Sequence, residues 1–182
     1  CNDDYAQSIR VNRLHGISKD AWSRYTKHGS WYYEVIDNGN KYNSTDINAA
    51  IGLVQLEKTQ WLYERRHNIA NRYMDAFKNH RDIQPVLIKT DRRTCWHLFV
   101  VRVDHRDMVI EEMKRRGVGC SVHFIPIYRH PYYRNRYAYA EDDYPVSQYV
   151  FERSLSLPIF PDMTDQQVEY VIDQLRDVVQ NQ

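Results

Sequence analysis

The sequence lacks the features that mark several large classes of protein. Its three cysteines are widely spaced and form no Cys-x-x-Cys pair, which argues against a zinc ribbon or a disulfide framework and favours a reducing, cytoplasmic environment. No apolar run approaches the length of a membrane-spanning helix. With 25 basic and 24 acidic residues, the net charge of +1 gives no general attraction to nucleic acid or to an acidic membrane. The composition therefore predicts a protein that binds neither nucleic acid nor a membrane.

The short fingerprints of common enzymes are also missing. There is no Gly-x-Gly-x-x-Gly, no Walker loop and no Gly-x-Ser-x-Gly, and the eight histidines show no zinc-binding spacing, so no metal site is predicted. Tyrosine, by contrast, is abundant, with 15 residues beside four tryptophans in a chain of 182. These rings combine a large apolar area with a polar group, so they predict broad contact surfaces. The length allows one large or two small domains.

Hydrophobic periodicity predicts alternating helices and extended segments. Helices are expected at 3–14, from Asp46 to Lys78 with a break near Thr59, at 107–116, at 145–153, and after a Thr164-x-x-Gln167 capping box. Extended segments are expected at 85–87, 96–103, 118–125 and 154–157, and an aromatic loop at 22–40. The alternation indicates a small α/β or α+β domain from about residue 82.

The stretch Gly39–Lys58 joins a polar turn to the start of a helix. The run Ser44–Asp46 offers three favoured helix caps. The free N–H groups of such a first turn also suit an anion such as phosphate. Small residues follow the cap and would let another backbone approach closely: Ala49, Ala50 and Gly52. These residues alone leave two interpretations open, a capped core helix and an anion site.

A second polar and aromatic cluster spans Val122–Arg134. Its His123 is expected near the end of a strand, and the following turn combines hydroxyl, imidazole and guanidinium groups. Such a loop suits a sugar or phosphate ligand. It also fits a rigid aromatic surface loop with a packed histidine. A platform for single-stranded nucleic acid is disfavoured, because the acidic run 141–143 follows at once.

Four collinear segments resemble the DegT/StrS family of pyridoxal-phosphate-dependent sugar aminotransferases. They are Val11–Trp22, Lys41–Leu53, His123–Pro126 and Leu155–Pro161, and the likeness extends from Asn2 to about Leu175. The resemblance implies an α/β fold, the C-terminal portion of a fold type I aminotransferase. Residues 1–80 would supply helices and a loop of the large cofactor domain, and residues 81–182 a small α+β domain.

The resemblance also implies an activity and a mode of assembly. Members of the family transfer an amino group from glutamate to a keto group of a nucleotide-linked sugar, in lipopolysaccharide or antibiotic-sugar biosynthesis. Their cofactor is pyridoxal 5'-phosphate (PLP), and two subunits of a homodimer build each active site.

The lysine that holds the cofactor in this family is not expected in this chain. In members it forms a Schiff base within a Ser-Phe-His…Lys…Gly-Glu-Gly-Gly stretch, shortly before the segment resembled by Cys1–Asp4. None of the lysines here stands in that motif. The chain, which does not begin with methionine, therefore reads as the C-terminal part of such an enzyme, with the catalytic lysine upstream of Cys1. We expect the isolated chain neither to hold the cofactor covalently nor to transaminate.

The resemblance assigns roles to single residues. Asn43 matches the residue that reaches across the dimer to the cofactor phosphate of the other subunit. Members often have histidine where this chain has Tyr128. Five residues are assigned to the substrate side: His15, Lys41, His123, Tyr128 and Tyr132.

Two other functions stay open on the sequence. One is a non-catalytic protein that binds a sugar or a partner, and the other is a PLP-dependent sugar dehydratase relative in which the lysine is replaced. The coding sequence immediately upstream separates them. A lysine followed by Gly-Glu-Gly-Gly indicates the aminotransferase, and a histidine in place of that lysine indicates the dehydratase. A start codon immediately before Cys1 contradicts the aminotransferase.

Overall fold

The computed structural model describes residues 2–18 and 31–181. The chain divides into two compact units, Cys1–Glu57 and Lys58–Gln182, and each is described by itself. The aromatic loop predicted at 22–40 is described from Trp31 onwards, where it contains no helix. The first half of that loop, and the end of the segment Val11–Trp22, lie outside the described residues.

The first unit contains two helices joined by paired segments. Helix α1 (Asp3–Asn12) begins after Asn2, whose side-chain oxygen accepts bonds from two first-turn N–H groups at 2.9 and 3.3 Å. Helix α2 (Asp46–Glu57) begins after Thr45, whose hydroxyl oxygen accepts a bond from the Asn48 N–H at 3.3 Å. The helix start predicted at Ser44–Asp46 is therefore confirmed, with Thr45 as the cap.

The turn after α1 requires the glycine at position 16. Gly16 has φ of 67°, in the left-handed region, and an added Cβ would lie 1.8 Å from the Asp37 carbonyl oxygen. The Ile36 N–H donates to the Gly16 carbonyl at 2.8 Å. Gly16 is also the one buried residue among the described residues of this unit. The first unit is thus organised by local hydrogen bonds and has no apolar core among those residues.

The second unit is an antiparallel sheet with packed helices. Its strand order is β1 (Gln84–Pro85), β2 (Phe99–Arg102) and β3 (Ser154–Leu157). Its helices are α3 (Thr59–Phe77), α4 (Arg106–Arg115), α5 (Pro131–Tyr137), α6 (Pro145–Arg153) and α7 (Asp165–Gln180). Two short 3-10 turns lie at Ile127–Arg129 and Glu141–Asp143. From residue 82 onwards the unit combines helices with an antiparallel sheet, which is the α+β alternative of the two that the sequence leaves open.

The core of the second unit lies where α7 meets α3 and α4. Helix α7 buries six apolar residues at helical spacing: Val168, Val171, Ile172, Leu175, Val178 and Val179. The sheet contributes Phe99, Val101, Leu155 and Leu157. Tyr73 of α3 is fully buried, and its hydroxyl donates to the Pro158 carbonyl at 2.9 Å, so this polar group is satisfied inside the core.

Most predicted elements are confirmed. Helix α6 and strand β3 have the predicted bounds, and the helix break falls at Lys58. The predicted capping box is formed: the Thr164 N–H donates to Gln167 Oε1 at 2.9 Å, and the Gln167 N–H donates to Thr164 Oγ1 at 3.2 Å. The domain boundary predicted at residue 80 concerns the whole protein and stays a prediction. The two compact units of this chain are divided in the sequence after Glu57.

The strand predicted at 118–125 is wrong. Within it only Ser121 pairs, in a two-bond bridge with Ser156. The segment begins by closing α4, because the Val118 N–H donates to the Met113 carbonyl at 2.9 Å. It ends at Pro126, which has no N–H to donate and leads into a 3-10 turn. Little chain is left between these two ends for a ladder.

Candidate functional site

Part of the predicted site lies on the paired segments of the first unit. The His15 N–H donates to the Asn40 carbonyl at 2.9 Å, and Leu14 forms an antiparallel bridge with Lys41. This pairing makes the backbones of His15 and Lys41 neighbours. Asn43, two residues further along, is exposed on the approach to α2.

The segment Lys41–Thr45 forms a polar rim at the N-terminus of α2. All residues of the rim are exposed, so a lysine, an amide and the positive end of a helix are each accessible to an anion. Asp46 in the first turn opposes an anion there through its own charge. The anion site therefore stays a prediction, while the cap beside it is observed.

Helix α2 itself exposes apolar side chains around its circumference. Five of them are 50–75% exposed: Ile47, Ile51, Leu53, Val54 and Leu56. An added Cβ at Gly52 would meet nothing within 4 Å. None of its residues is buried, so the core-helix interpretation is not met within the first unit. An all-round apolar helix is typical of a buried element in a complete protein. The predicted packing of its small-residue face, inside the subunit or at a dimer interface, stays a prediction.

In the second unit, Ser156 holds the ring of the exposed His123. The His123 Nδ1 lies 2.9 Å from the Ser156 Oγ. The Phe124 ring stands edge-on to the imidazole, with centroids 4.9 Å apart. Ser156 is only 5% exposed. Sequence reasoning missed its contact with His123, because a serine within an apolar strand gives no local sign of a distant partner.

Tyr128 and Tyr132 lie in different surroundings. Tyr128 is 6% exposed, its hydroxyl donates to Gln148 Oε1 at 3.0 Å, and its ring stacks on Tyr144 with centroids 4.9 Å apart. Tyr132, near the start of α5, is 66% exposed. Burial favours a packing role for Tyr128, so Tyr132 is the better placed of the two to meet a ligand.

A continuous series of tyrosine rings follows His123 in the chain. Successive centroids are 4.9–6.4 Å apart in the order Tyr132, Tyr133, Tyr137, Tyr139, Tyr144 and Tyr128. Helix α5 opens with Pro131 and brings two of these rings one turn apart. The excess of tyrosine is the sequence signal for this surface, and the helix that organises it is a feature that sequence reasoning missed.

A polar cleft of about 680 Å³ lies between the start of α4 and the end of α6. Arg106 is 7% exposed there and donates to two backbone carbonyls at 2.9 and 3.2 Å. The other two arginines of the cleft are ion-paired, Arg129 with Glu141 and Arg153 with Asp104. The arginines of this cleft are therefore engaged within the fold, two by carboxylates and Arg106 by backbone carbonyls.

Two kinds of site are absent from the part of the chain that the structure describes. Residues 2–18 and 31–181 contain no group of three or more metal-binding side chains. None of their helices combines the length and the apolar character needed to cross a bilayer.

The fold is that of the C-terminal portion of a fold type I aminotransferase. A protein of Streptococcus pneumoniae described as a sugar aminotransferase, Spr1654, matches in its PMP form with a TM-score of 0.85 and 29% identity, over 100% of this chain and 46% of that one. The same protein is known in a PLP form, which matches with a TM-score of 0.83.

The sequence comparison gives the family. The DegT/DnrJ/EryC1/StrS aminotransferase family model matches residues 1–176, and the chain belongs to this PLP-dependent family. It is 44% identical over 184 residues to an uncharacterized protein of Methanocaldococcus jannaschii. It is 41% identical over 185 residues to the spore coat polysaccharide biosynthesis protein SpsC of Bacillus subtilis. Each match covers 98% of this chain and 48% of the relative, so the chain spans about half the length of these relatives.

Proposed function

We propose that this chain is the C-terminal part of a PLP-dependent enzyme that transfers an amino group from glutamate to a keto nucleotide-sugar. The observation that carries the proposal is the match of the whole chain to a described sugar aminotransferase known in both its PLP and its PMP form. Those are the amino-accepting and amino-carrying forms of the cofactor. The SpsC relative supports a product used in polysaccharide biosynthesis.

The residues of this chain fit the phosphate end of the cofactor. Lys41 and Asn43 are exposed beside the N-terminus of α2, and this donor set matches a phosphate group. When bound, PLP supplies an electron sink for the carbon that loses a proton. Asn43 would donate its amide N–H to the cofactor phosphate of the neighbouring subunit, and a lysine upstream of this chain would hold the cofactor. The chain alone is therefore inactive.

Each unit contains residues that suit the substrate side, and each set is considered by itself. His123 and Tyr132 are exposed and offer an imidazole and an aromatic face to the sugar side. His15 and Lys41 offer an imidazole and a cation, which suit a diphosphate. Tyr128 acts through its stacking on Tyr144 rather than through its hydroxyl, which Gln148 already occupies. The enzyme works as a cytoplasmic homodimer.

Two variants of the natural full-length protein, each nearly inactive alone at a PLP concentration well below the Kd of Asn43→Ala, are mixed to test the shared site. One variant carries Asn43→Ala and the other lacks the upstream catalytic lysine. In a mixed dimer, one site has the lysine of the first subunit and Asn43 of the second, so it is complete. Because random mixing makes half of the dimers mixed, we expect about a quarter of the wild-type number of intact sites. Activity is followed as 2-oxoglutarate formed from glutamate and a keto nucleotide-sugar.

Three results would contradict this assignment. No recovery in the mixture, with Asn43→Ala inactive alone, places Asn43 in the site of its own subunit. Full activity of Asn43→Ala removes it from the site, since loss of a bond to a charged phosphate should weaken PLP binding at least about tenfold. The same defect in the control variant Asn38→Ala, another exposed asparagine of this unit, would show a general structural effect. A wild-type protein that releases no 2-oxoglutarate overturns the activity itself.

A further inference from the structure

The contact between Ser156 and His123 joins a buried serine to an exposed imidazole. Ser156 lies in β3, where it pairs with Val100 of β2 on one side and with Ser121 on the other. A buried hydroxyl in a strand needs a partner, and here the partner is His123 Nδ1 at 2.9 Å.

The register of the sheet brings these two side chains together. Leu155 and Leu157 are buried in the apolar core, so Ser156 between them points to the opposite face of the strand. Backbone bonds of 3.2 and 2.7 Å fix Ser121 against Ser156. His123 comes two residues after Ser121, so its ring lies within reach of the Ser156 hydroxyl. The contact thus follows from the backbone pairing.

A serine partner has a particular consequence for an imidazole. The two ring nitrogens are distinct, and a bond at Nδ1 leaves Nε2 as the nitrogen available to a ligand. A hydroxyl can donate to a neutral Nδ1 and accept from a protonated one. The same contact therefore survives a change of charge on the ring.

We propose that Ser156 is a positioning residue, which fixes the His123 ring so that Nε2 faces the substrate in both the neutral and the protonated state. The inference rests on the proposed function in one respect, namely that His123 lies on the substrate side. Ser156 itself acts through His123 and does not touch the substrate.

Site-resolved acylation of histidines by diethyl pyrocarbonate tests the proposal on the natural full-length protein without ligand. In the wild type, Ser156 shields Nδ1, so His123 is modified chiefly at Nε2 and only a small fraction is acylated on both nitrogens. In Ser156→Ala the ring turns freely, and the fraction acylated on both nitrogens should rise about fivefold, as expected for the loss of one hydrogen bond. Ser156→Thr keeps the hydroxyl and should restore the wild-type pattern. Ser121→Ala, on the segment that pairs with Ser156, is the matched control and should change nothing.

Two outcomes overturn the proposal. They are an unchanged His123 pattern in Ser156→Ala, and an equal change in Ser121→Ala. The half-buried His67 reports unfolding in the same digest. If Ser156→Ala unfolds, the wild-type protein can still be tested by nitrogen NMR of labelled histidine. A hydrogen-bonded Nδ1 at His123 supports the proposal, and a freely exchanging Nδ1 contradicts it.

A separate measurement distinguishes failure of the proposed function. Binding of UDP-N-acetylglucosamine as a probe should protect His123 from acylation if the loop receives a nucleotide-sugar. Absence of protection with a positive result for Ser156→Ala counts against the substrate assignment alone. Protection with an unchanged pattern in Ser156→Ala counts against the positioning role alone.

Discussion

Replacing Tyr73 with phenylalanine removes one hydroxyl group from the core of the second unit. That hydroxyl donates to the Pro158 carbonyl at 2.9 Å, and the Tyr73 side chain is fully buried between Phe77 and Phe99. The ring and its packing are retained in the variant. What changes is that the Pro158 carbonyl loses the hydroxyl that reaches it from the fully buried Tyr73 side chain.

The chain offers a matched control for this change. The Tyr170 hydroxyl donates to the Arg116 carbonyl at the same distance of 2.9 Å, but Tyr170 is 48% exposed. Water can replace the hydroxyl there. We therefore expect Tyr73→Phe to lower the free energy of unfolding by about 2 kcal/mol and Tyr170→Phe by at most about 0.5 kcal/mol. At this chain length the larger loss lowers Tm by about 4–8 °C.

Urea unfolding followed by tryptophan fluorescence measures both losses, because Trp96 lies in the same core. The two variants should share the wild-type slope and differ in their midpoints. Equal losses for Tyr73→Phe and Tyr170→Phe would refute the reasoning, since the two contacts differ chiefly in burial. A stabilised Tyr73→Phe would show that the Pro158 carbonyl finds another donor.

Three further predictions concern the Cys120 thiol, the turn at Gly16 and the lysines of the chain. Burial raises the pKa of the Cys120 thiol to about 11, so at pH 8 its iodoacetamide labelling should be about 100-fold slower than that of an ordinary thiol, with the exposed Cys95 as internal comparison. The native state disfavours the thiolate, so Cys120 contributes its full stabilisation below about pH 8.5. That stabilisation is lost as the pH rises through about 11. If Cys120→Ala loses as much stability as the wild type between about pH 8.5 and about 11, the loss does not come from Cys120. Gly16→Ala should abolish hydrogen-exchange protection of the Ile36 amide, since its Cβ would overlap the Asp37 carbonyl, whereas Gly119→Ala, which meets nothing within 4 Å, should leave it unchanged. The 182-residue chain mixed with PLP and then borohydride should carry no adduct on any of its lysines by mass spectrometry, and a trapped adduct would place a cofactor-holding lysine in this chain.

The elements that could be predicted from the sequence are those fixed by local signals. Helix α7 was recognisable from its capping box and apolar spacing, and α6 from the proline at its first position. The break at Lys58 and the turn at Gly16 follow from equally local chemistry. Each depends on residues within about one helical turn, so a single sequence contains the necessary information.

The features that sequence reasoning missed depend on partners far away in the chain. Ser156 meets His123 only because β3 and the segment after α4 lie side by side. The strand predicted at 118–125 has the right composition, but its ends are engaged by α4 and by Pro126. The burial of Tyr128 depends in the same way on α6, which supplies Gln148. Periodicity gives the faces of an element and leaves its partners undetermined.

The packing of helix α2 bears on the candidate cofactor site, because Asn43 lies just before this helix. Its cap was predictable, but apolar residues over most of its circumference give the helix no single direction for packing. Ordering each residue costs roughly 1–2 kcal/mol, and local hydrogen bonds alone do not offset that cost for a unit whose one buried described residue is Gly16. The stability of α2 must then come from a surface beyond the described residues of the first unit. Asn43 lies three residues before α2, so whatever surface buries the helix also sets where Asn43 points. Burial of α2 against a neighbouring subunit would hold Asn43 at that neighbour, which is the geometry that a shared cofactor site requires.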